Sequence, residues 1–474
     1  MKTRFVAICS VLSFGLATWA APALRAVPQD ETHTPPLATT QPEEAPVSDE
    51  GSQPAVYRPQ GNVITPDSSV VHPEDAGLRA HTNVLVFVPS GREQSSAVPD
   101  NTFAETPYSL ACVYKQGTTY TGCSPSGGSS ANLPKGGWGA IALVDAFDNP
   151  NAASDLAFFS SYWGLPAANF AKVYANSTFG TLNGLTASCS GKPTGNTGWG
   201  LEEDLDIQWA HAMAPSAKII LVEACSNSYN DLFFAEEVAG IKVGAGGDIS
   251  NSWGGGEFST EGGTGGDNFF FRYYWKEITY FASAGDSGWG AQYPSSSPWV
   301  VSAGGTTVNR DASGNYLNQS CWSGSGGGVS AYETWQSPPS IANGMGPWAA
   351  YQYPFAGQTA RQTPDLSFDA DPNSGVYMYD TYGYGGWVIV GGTSVASPSL
   401  AGIVNASNNR LGQAPNTGGY YTTEENNLIY DQLYSKTAYK ANFVDITTGS
   451  NGASAVTGYD QCTGVGVPLG KLGK

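Results

Sequence analysis

Ser394 is the residue whose setting first suggests chemistry. It lies in Gly391-Gly392-Thr393-Ser394-Val395-Ala396-Ser397-Pro398, a glycine-rich turn leading into the small-residue run 399–404. The pattern predicts a turn that enters a helix, with Pro398 tolerated because it falls in the first turn. A hydroxyl at the positive end of a helix dipole sits where an anion is favoured, a good place for a nucleophile. The same residues would equally make a plain N-cap. Local pattern leaves both readings open.

A second group offers proton transfer. The stretch Trp199-Gly200-Leu201-Glu202-Glu203-Asp204-Leu205-Asp206-Ile207-Gln208-Trp209-Ala210-His211 predicts a helix over about 198–214, stopped by Pro215. At roughly 100° per residue Leu201, Leu205 and Ala212 share a buried face. Glu202 and Asp206, four apart, stack at the edge of that face beside Trp209 and Met213. Like charges at this spacing destabilise a helix by about 0.2–0.5 kcal/mol. Against apolar neighbours they also raise one another's pKa, which suits an acid/base pair. A solvated acidic first turn is the plainer alternative, and it accounts well for Glu203 and Asp204. Glu203 is also cofacial with Asp206 at a three-residue step.

The histidines bear on the choice of base. A Ser-His-Asp hydrolase needs an imidazole. Of the four histidines, His33, His72 and His81 fall in a polar N-terminal stretch. His211, nine residues past Glu202, is rotated roughly 180° to the opposite side of the helix, and reads as a surface or structural residue. If Ser394 is a nucleophile, its base is a carboxylate. With a reference pKa near ~4, a carboxylate still accepts protons in acid, where imidazole, near ~6.5, is already charged.

The elements that must position these groups come next. Continuous apolar runs at 140–145, 219–222, 278–282 and 299–302 predict buried strands. Helical patterns lie between them, so the fold class expected is α/β, a doubly wound, mostly parallel sheet with helices on both faces. Polar sites in such sheets lie off the carboxyl ends of the strands, where Asp145 and Asp286 fall. Simpler roles exist for both: an Asx-turn for Asp286 and a cap for Asp145.

The 474 residues, 41% hydrophobic, can bury a large core, and length alone suggests two or three domains. A net charge of −19 argues against nucleic acid or anionic membranes as partners. Only 13% of residues are charged, so the surface has few ions to lose as pH falls. Lys2 and Arg4, the apolar run 5–19 and the small residues Ala20, Ala21 and Ala23 predict a secretory signal over residues 1–20. No later run approaches a membrane span. Cys9 lies in the signal, leaving six cysteines, an even number that suggests disulfides in an exported chain. Many connectivities are open; pairing neighbours along the chain gives Cys112–Cys123, Cys189–Cys225 and Cys321–Cys462. No Cys-x-x-Cys pair supports a zinc or redox site. Residues 21–105 are rich in Pro, Thr, Glu, Gln and Ser and read mostly as linker, with 83–89 a single strand docking on the main domain. From Thr106 the composition is globular to the end.

Together these residues resemble the sedolisins, serine-carboxyl peptidases with a subtilisin-like fold. The likeness runs from about Thr106 to the C-terminus. It is carried by Thr106-Pro107-Tyr108-Ser109-Leu110 with Tyr114, Glu202-x-x-x-Asp206 with Ala214-Pro215-x-Ala217-Lys218-Ile219, and Ser252-Trp253-Gly254. Ser283-Ala284-Gly285-Asp286-Ser287-Gly288, Pro298-Trp299-Val300 with Gly304-Gly305-Thr306, Pro364-Asp365-Leu366-Ser367, Asp369-x-Asp371-Pro372 and Gly392-Thr393-Ser394 follow in the family's order. The resemblance implies a peptidase catalytic domain over 106–474, with Ser394 as nucleophile, Glu202 as base and later acid, and Asp206 orienting Glu202 and sharing its proton. It implies Asp286 as a protonated oxyanion donor beside the Ser394 N–H, and a possible relay through Asp145. It implies one Ca2+ ion bound by the side chains of Asp445 and Asp460 and the carbonyls of Ile446, Val456 and Gly458. Val456 replaces a glycine common in relatives, which a carbonyl ligand survives only without positive φ. Trp253, Gly254 and Ser283 are expected to line the peptide cleft.

The family usually carries a long folded prosegment, whereas only about eighty residues separate signal and catalytic start here; either inhibition is handled differently or the segment is a reduced remnant. The expected protein is a secreted, monomeric acid endopeptidase acting on proteins or peptides. The competing readings are a His-dependent subtilisin, disfavoured by histidine placement, and a catalytically inactive secreted peptide-binding protein on the same fold. An adhesive module has no repeat to support it.

Overall fold

The computed structural model describes residues 55–91, 99, 103–262, 270–271, 278–334, 352, 360–407 and 423–474. The expected signal over 1–20, with Cys9, and His33 lie outside them. Apolar residues at every position of a strand require cover on both faces, and the central strands receive it. Ile141, Leu143, Ile219 and Leu221 enter one core with Leu201, Leu205 and Leu400. Their neighbours Ala142, Val144, Ile220 and Val222 enter the other with Phe234, Val238 and Trp253. This is the two-residue alternation of a strand.

The sheet runs in the order Tyr316–Cys321, Val300–Arg310, Thr279–Ser283, Asp248–Asn251, Ala140–Ala146, Lys218–Ala224, Asn169–Ala175, with Leu366–Asp369 also pairing to Val300–Arg310. Only Tyr316–Cys321 is antiparallel. The expected α/β, subtilisin-like doubly wound architecture is therefore present. Its parallel strands deliver Asp145, opposite Glu223 in register, to one end. Asn251-Ser252 and Ser283 emerge at the same end.

Two helices complete the frame. The carboxylate helix spans Thr197–Met213 and is capped by Asn196, whose Oδ1 accepts the N–H groups of Gly198 and Trp199 at 3.0 Å each. Pro215 lies just past its end, as the sequence predicts. The serine helix spans Thr393–Ala406 and packs directly on it; Pro398 lies inside the helix, past the first turn to which the sequence pattern assigns it, because the helix begins already at Thr393. Gly402 permits the approach: a Cβ there would stand 2.7 Å from Met213 Cβ and 3.0 Å from Ala210 O.

The structure corrects one expectation about the carboxylate helix. It has no solvated acidic turn: Glu203 and Asp204 are as buried as Glu202 and Asp206. The helix Ala152–Trp163 and the strand Val376–Asp380 cover the side that the sheet and serine helix leave open. His211 is likewise buried and structural, with Nε2 2.9 Å from Pro166 O.

The N-terminal reading also changes. The expected strand forms at Leu85–Pro89, but Gly61–Ile64 and Gly386–Gly391 pair on its two edges. His81–Thr82 pairs separately with Trp253 and Gly254. The described part of this segment is thus woven into the body rather than linker. Glu105 is buried in a two-point ion pair with Arg310, at 2.5 and 2.6 Å. All three expected disulfides are present. Among the described residues no helix is long and apolar enough to cross a membrane.

Gly402→Leu should force the two helices apart, at about 1–3 kcal/mol for overpacking. Thermal unfolding checks this; an unchanged melting temperature would refute the packing account.

Candidate active site

The turn before Ser394 depends on Gly392. Its φ of 104° disfavours any side chain, and a Cβ there would lie 2.2 Å from Asn83 O and 2.4 Å from Asp286 Oδ2. Past this turn the Ser394 N–H donates to Asn83 O at 3.0 Å, and the Ser394 hydroxyl donates to Ser252 O at 3.2 Å.

Glu202 and Asp206 meet the serine from the other helix. Both carboxyl oxygens of Glu202 are buried and lack a hydrogen-bond partner. Burial, then Asp206 and Asp145, push its pKa well up. The nearby Ser394 hydroxyl opposes this by favouring the ionised form, and Asp286 adds to the rise. Glu202 is therefore the acceptor within reach of Ser394, although the hydroxyl hydrogen bond itself runs to Ser252. Asp206 Oδ1 accepts the Ser252 hydroxyl at 2.6 Å, while Oδ2 has no partner. Burial and then Asp145 raise its pKa against that bond.

Asp145 extends the group. Its carboxyl oxygens are buried without partners, and burial followed by Glu223 raises its pKa. Glu203 turns away from the serine: its Oε2 accepts Asn149 N–H at 3.2 Å, and Glu223 is its main charged neighbour. This leaves Glu202 as the partner of Asp206 at the serine. Lys172, bound to Glu223 at 2.8 Å and Asp148 at 2.9 Å, lies at the far end of the network.

Asp286 stands across the serine turn. Its Oδ1 accepts the Thr393 N–H at 2.7 Å and the Thr393 hydroxyl at 2.9 Å. Its Oδ2 is buried and unpartnered. Burial pushes its pKa up to about 7 even though both Thr393 bonds favour the charge. In acid the free oxygen carries a proton it can donate, on the same side of Gly392 as the Asn83 carbonyl that accepts the Ser394 N–H.

No family model matches the chain. Over 317 residues, 61% of its length, it is 29% identical to kumamolisin of Bacillus sp. (strain MN-32), of which it covers 52%. Over 216 residues it is 29% identical to sedolisin of Pseudomonas sp. (strain 101), of which it covers 33%. A solved structure of Pseudomonas sedolisin, a serine-carboxyl proteinase complexed with two molecules of pseudo-iodotyrostatin, superposes with a TM-score of 0.57. The match has 24% identity and covers 78% of this chain and 97% of that one, a likeness of fold. The chain is similar in sequence to kumamolisin and sedolisin, and in fold to sedolisin. It spans about half the length of kumamolisin and less of sedolisin.

The residues expected to line a sedolisin cleft come together with one correction. The Trp253 ring is fully buried, with Nε1 2.9 Å from Val144 O, and serves the core. An indole in an inward strand position buries its large apolar area first. Only the backbone of Trp253 and Gly254 faces the cleft, where it pairs with Thr82 and His81. Ser283 Oγ accepts Asn83 Nδ2 at 2.7 Å. Sequence reasoning missed Asn83, Ser252 as a bridge between Asp206 and Ser394, and Thr393 as the holder of Asp286. Ser252, directly after a buried strand, carried a positional signal; Asn83 carried none.

The expected calcium residues also converge. Asp445 Oδ1 accepts the Gly458 N–H at 3.0 Å and the Tyr439 hydroxyl at 3.1 Å. Asp460 Oδ2 accepts the Val456 N–H at 3.0 Å, and its Oδ1 those of Cys462 and Thr463. Val456 is not among the residues with positive φ, and its side chain points outward, so its replacement of glycine strains nothing. The donor set, two carboxylates and loop carbonyls, suits a hard cation. A second acidic cluster, Asp155, Asp204 and Asp380, has ligand atoms within 4.8 Å of one another and was not anticipated.

Burial raises the folded pKa of Asp286 and Glu223 to about 7 and of Asp248 and Glu425 to about 8. A carboxyl raised on folding binds its proton more tightly in the native state, so its stabilisation is complete below the ordinary value near ~4 and is lost as pH rises to the folded value. Thermal unfolding should therefore show a higher melting temperature at pH 4 than at pH 8. A melting temperature that climbs over that interval would contradict the assignment.

Proposed function

We propose that this chain is a secreted, acid-acting serine-carboxyl endopeptidase that hydrolyses protein or peptide substrates as a monomer. The observation that carries the reading is a serine hydroxyl beside a buried, unpartnered glutamate, with the Ser394 N–H on the Asn83 carbonyl and the free Oδ2 of Asp286 against the same glycine, Gly392. Ser394 Oγ would attack a peptide carbonyl as Glu202 takes its proton. Asp206, oriented by Ser252, would share the proton of Glu202, so the two titrate as a pair. The Ser394 N–H and the protonated Asp286 Oδ2 would hold the oxyanion. Glu202 would return its proton to the leaving amine, and a water activated by the same carboxylate would release the acyl group. The signal-like pattern over 1–20 supports export, and the acidic charge balance disfavours nucleic-acid and membrane partners.

One Ca2+ ion held by Asp445, Asp460 and the carbonyls of Ile446, Val456 and Gly458 would cross-link the C-terminal loops and stabilise the fold. Its chemistry there would be structural.

Ser394→Ala should abolish hydrolysis of denatured protein with the melting temperature unchanged, and Glu202→Gln should lower kcat by about 10^3 or more. Full activity in either variant would refute the role given to that residue. EDTA should lower the melting temperature of the wild type and leave Asp460→Ala unaffected. An EDTA effect that survives Asp460→Ala and disappears in Asp204→Asn would move the ion to the Asp155, Asp204 and Asp380 cluster.

A further inference from the structure

We propose that Asp155, Asp204 and Asp380 form a second cation site, and that a calcium ion held there fixes the reverse face of the carboxylate helix. Asp204 lies two residues from both Glu202 and Asp206, which at 3.6 residues per turn puts it on the opposite side of the helix from them. That side packs against the helix Ala152–Trp163, which carries Asp155, and the strand Val376–Asp380, which ends in Asp380. Each of the three carboxylates offers one oxygen, and the three oxygens lie within 4.8 Å of one another.

Burial and unmet hydrogen bonding set this group apart from acidic residues gathered on a surface. Asp204 and Asp380 have no exposed surface, and Asp155 keeps 2%. Asp204 Oδ2 accepts Asn149 Nδ2 at 2.7 Å, while Oδ1 is buried with no partner. Asp380 Oδ1 accepts the N–H groups of Tyr382 and Gly383 at 2.7 and 2.9 Å, while Oδ2 is buried with no partner. Asp155 is positioned by the Thr381 N–H at 2.8 Å and by the Thr381 hydroxyl at 2.8 and 2.9 Å. Its oxygens have further lone pairs to offer. Among the described residues no lysine or arginine forms an ion pair with any of the three. Buried carboxylate oxygens left without donors are costly unless a positive charge meets them.

The spacing selects the ion. Calcium takes oxygens at about 2.3–2.6 Å, so ligands on opposite sides of it stand about 5 Å apart, and the group fits that radius. Magnesium would draw its oxygens within about 4.2 Å and keeps several waters, which suits a more open site. Bidentate contacts and water complete the calcium shell here. The bound ion ties together three elements that meet behind the catalytic face.

Enclosure makes this ion slow to leave. A chelator reaches it only when the three elements part. The C-terminal loops differ, because Asp445 and Gly458 are partly exposed and Val456 lies at the surface. EDTA added to the folded protein therefore strips the loop ion and leaves this one.

The test counts metal in the full-length chain. Wild type, Asp460→Ala and Asp460→Ala combined with Asp204→Asn are produced with Ca2+, dialysed folded against EDTA at pH 7, digested in acid and measured by elemental mass spectrometry. Wild type and Asp460→Ala should each retain one calcium ion per chain, and the double variant none. Because loss of Asp204 can loosen the fold, release from Asp460→Ala is also followed with a calcium-sensitive dye during unfolding in guanidinium. One equivalent should appear at the denaturant concentration at which tryptophan fluorescence reports unfolding. No retained metal in Asp460→Ala would overturn the proposal, leaving the three carboxyls to share protons. One equivalent kept by the double variant, or released well before unfolding, would overturn it by placing the ion elsewhere. These counts need no catalysis, so the peptidase reading stands or falls apart from them.

Discussion

The structure turns on the burial of carboxyl groups with few cations to match them. Glu202, Asp206, Asp145, Glu203 and Glu223 lie in one layer between the carboxyl ends of the sheet strands and the carboxylate helix, and Lys172 meets only the outer end. An unpaired charge costs several kcal/mol or more to bury, and a group in that position takes up a proton instead. The layer is therefore an assembly of neutral acids sharing few charges. Its stability belongs to low pH, and the proton transfer proposed for it would belong there too.

That constraint explains the surrounding architecture. The serine helix must approach the carboxylate helix closely enough to bring a hydroxyl to Glu202, and Gly402 removes the side chain that would prevent it. Ser252 is the polar group that reaches both sides: its hydroxyl serves Asp206 and its carbonyl receives the Ser394 hydroxyl. Thr393 fixes Asp286 by two bonds to one oxygen, leaving the other to face the cleft. Each partner restrains one atom and leaves free the atom that the proposed mechanism uses.

Much of this was legible in the sequence. Apolar runs revealed the parallel strands, and the order of motifs identified the four residues that meet at the site. Periodicity failed where it had to. It tells which residues of a helix share a face and says nothing about how many faces are covered, so Glu203 and Asp204 read as solvated. The partners of Leu85–Pro89 were invisible for a different reason. Gly61–Ile64 is exposed and joins through backbone hydrogen bonds, which leave no trace in residue type. The Trp253 ring was assigned to the cleft because its neighbours belong there, whereas its own area belongs in the core. Asn83 entered through long-range contact alone.

The central claim is that a carboxylate, and not an imidazole, takes the proton of Ser394. The direct measurement is the rate of hydrolysis of denatured protein by the wild-type chain across pH 2 to 9. The account predicts a maximum in acid and loss of activity as Asp286 ionises near its raised pKa of about 7. A rate that rises through neutrality to a plateau at pH 8 would contradict it.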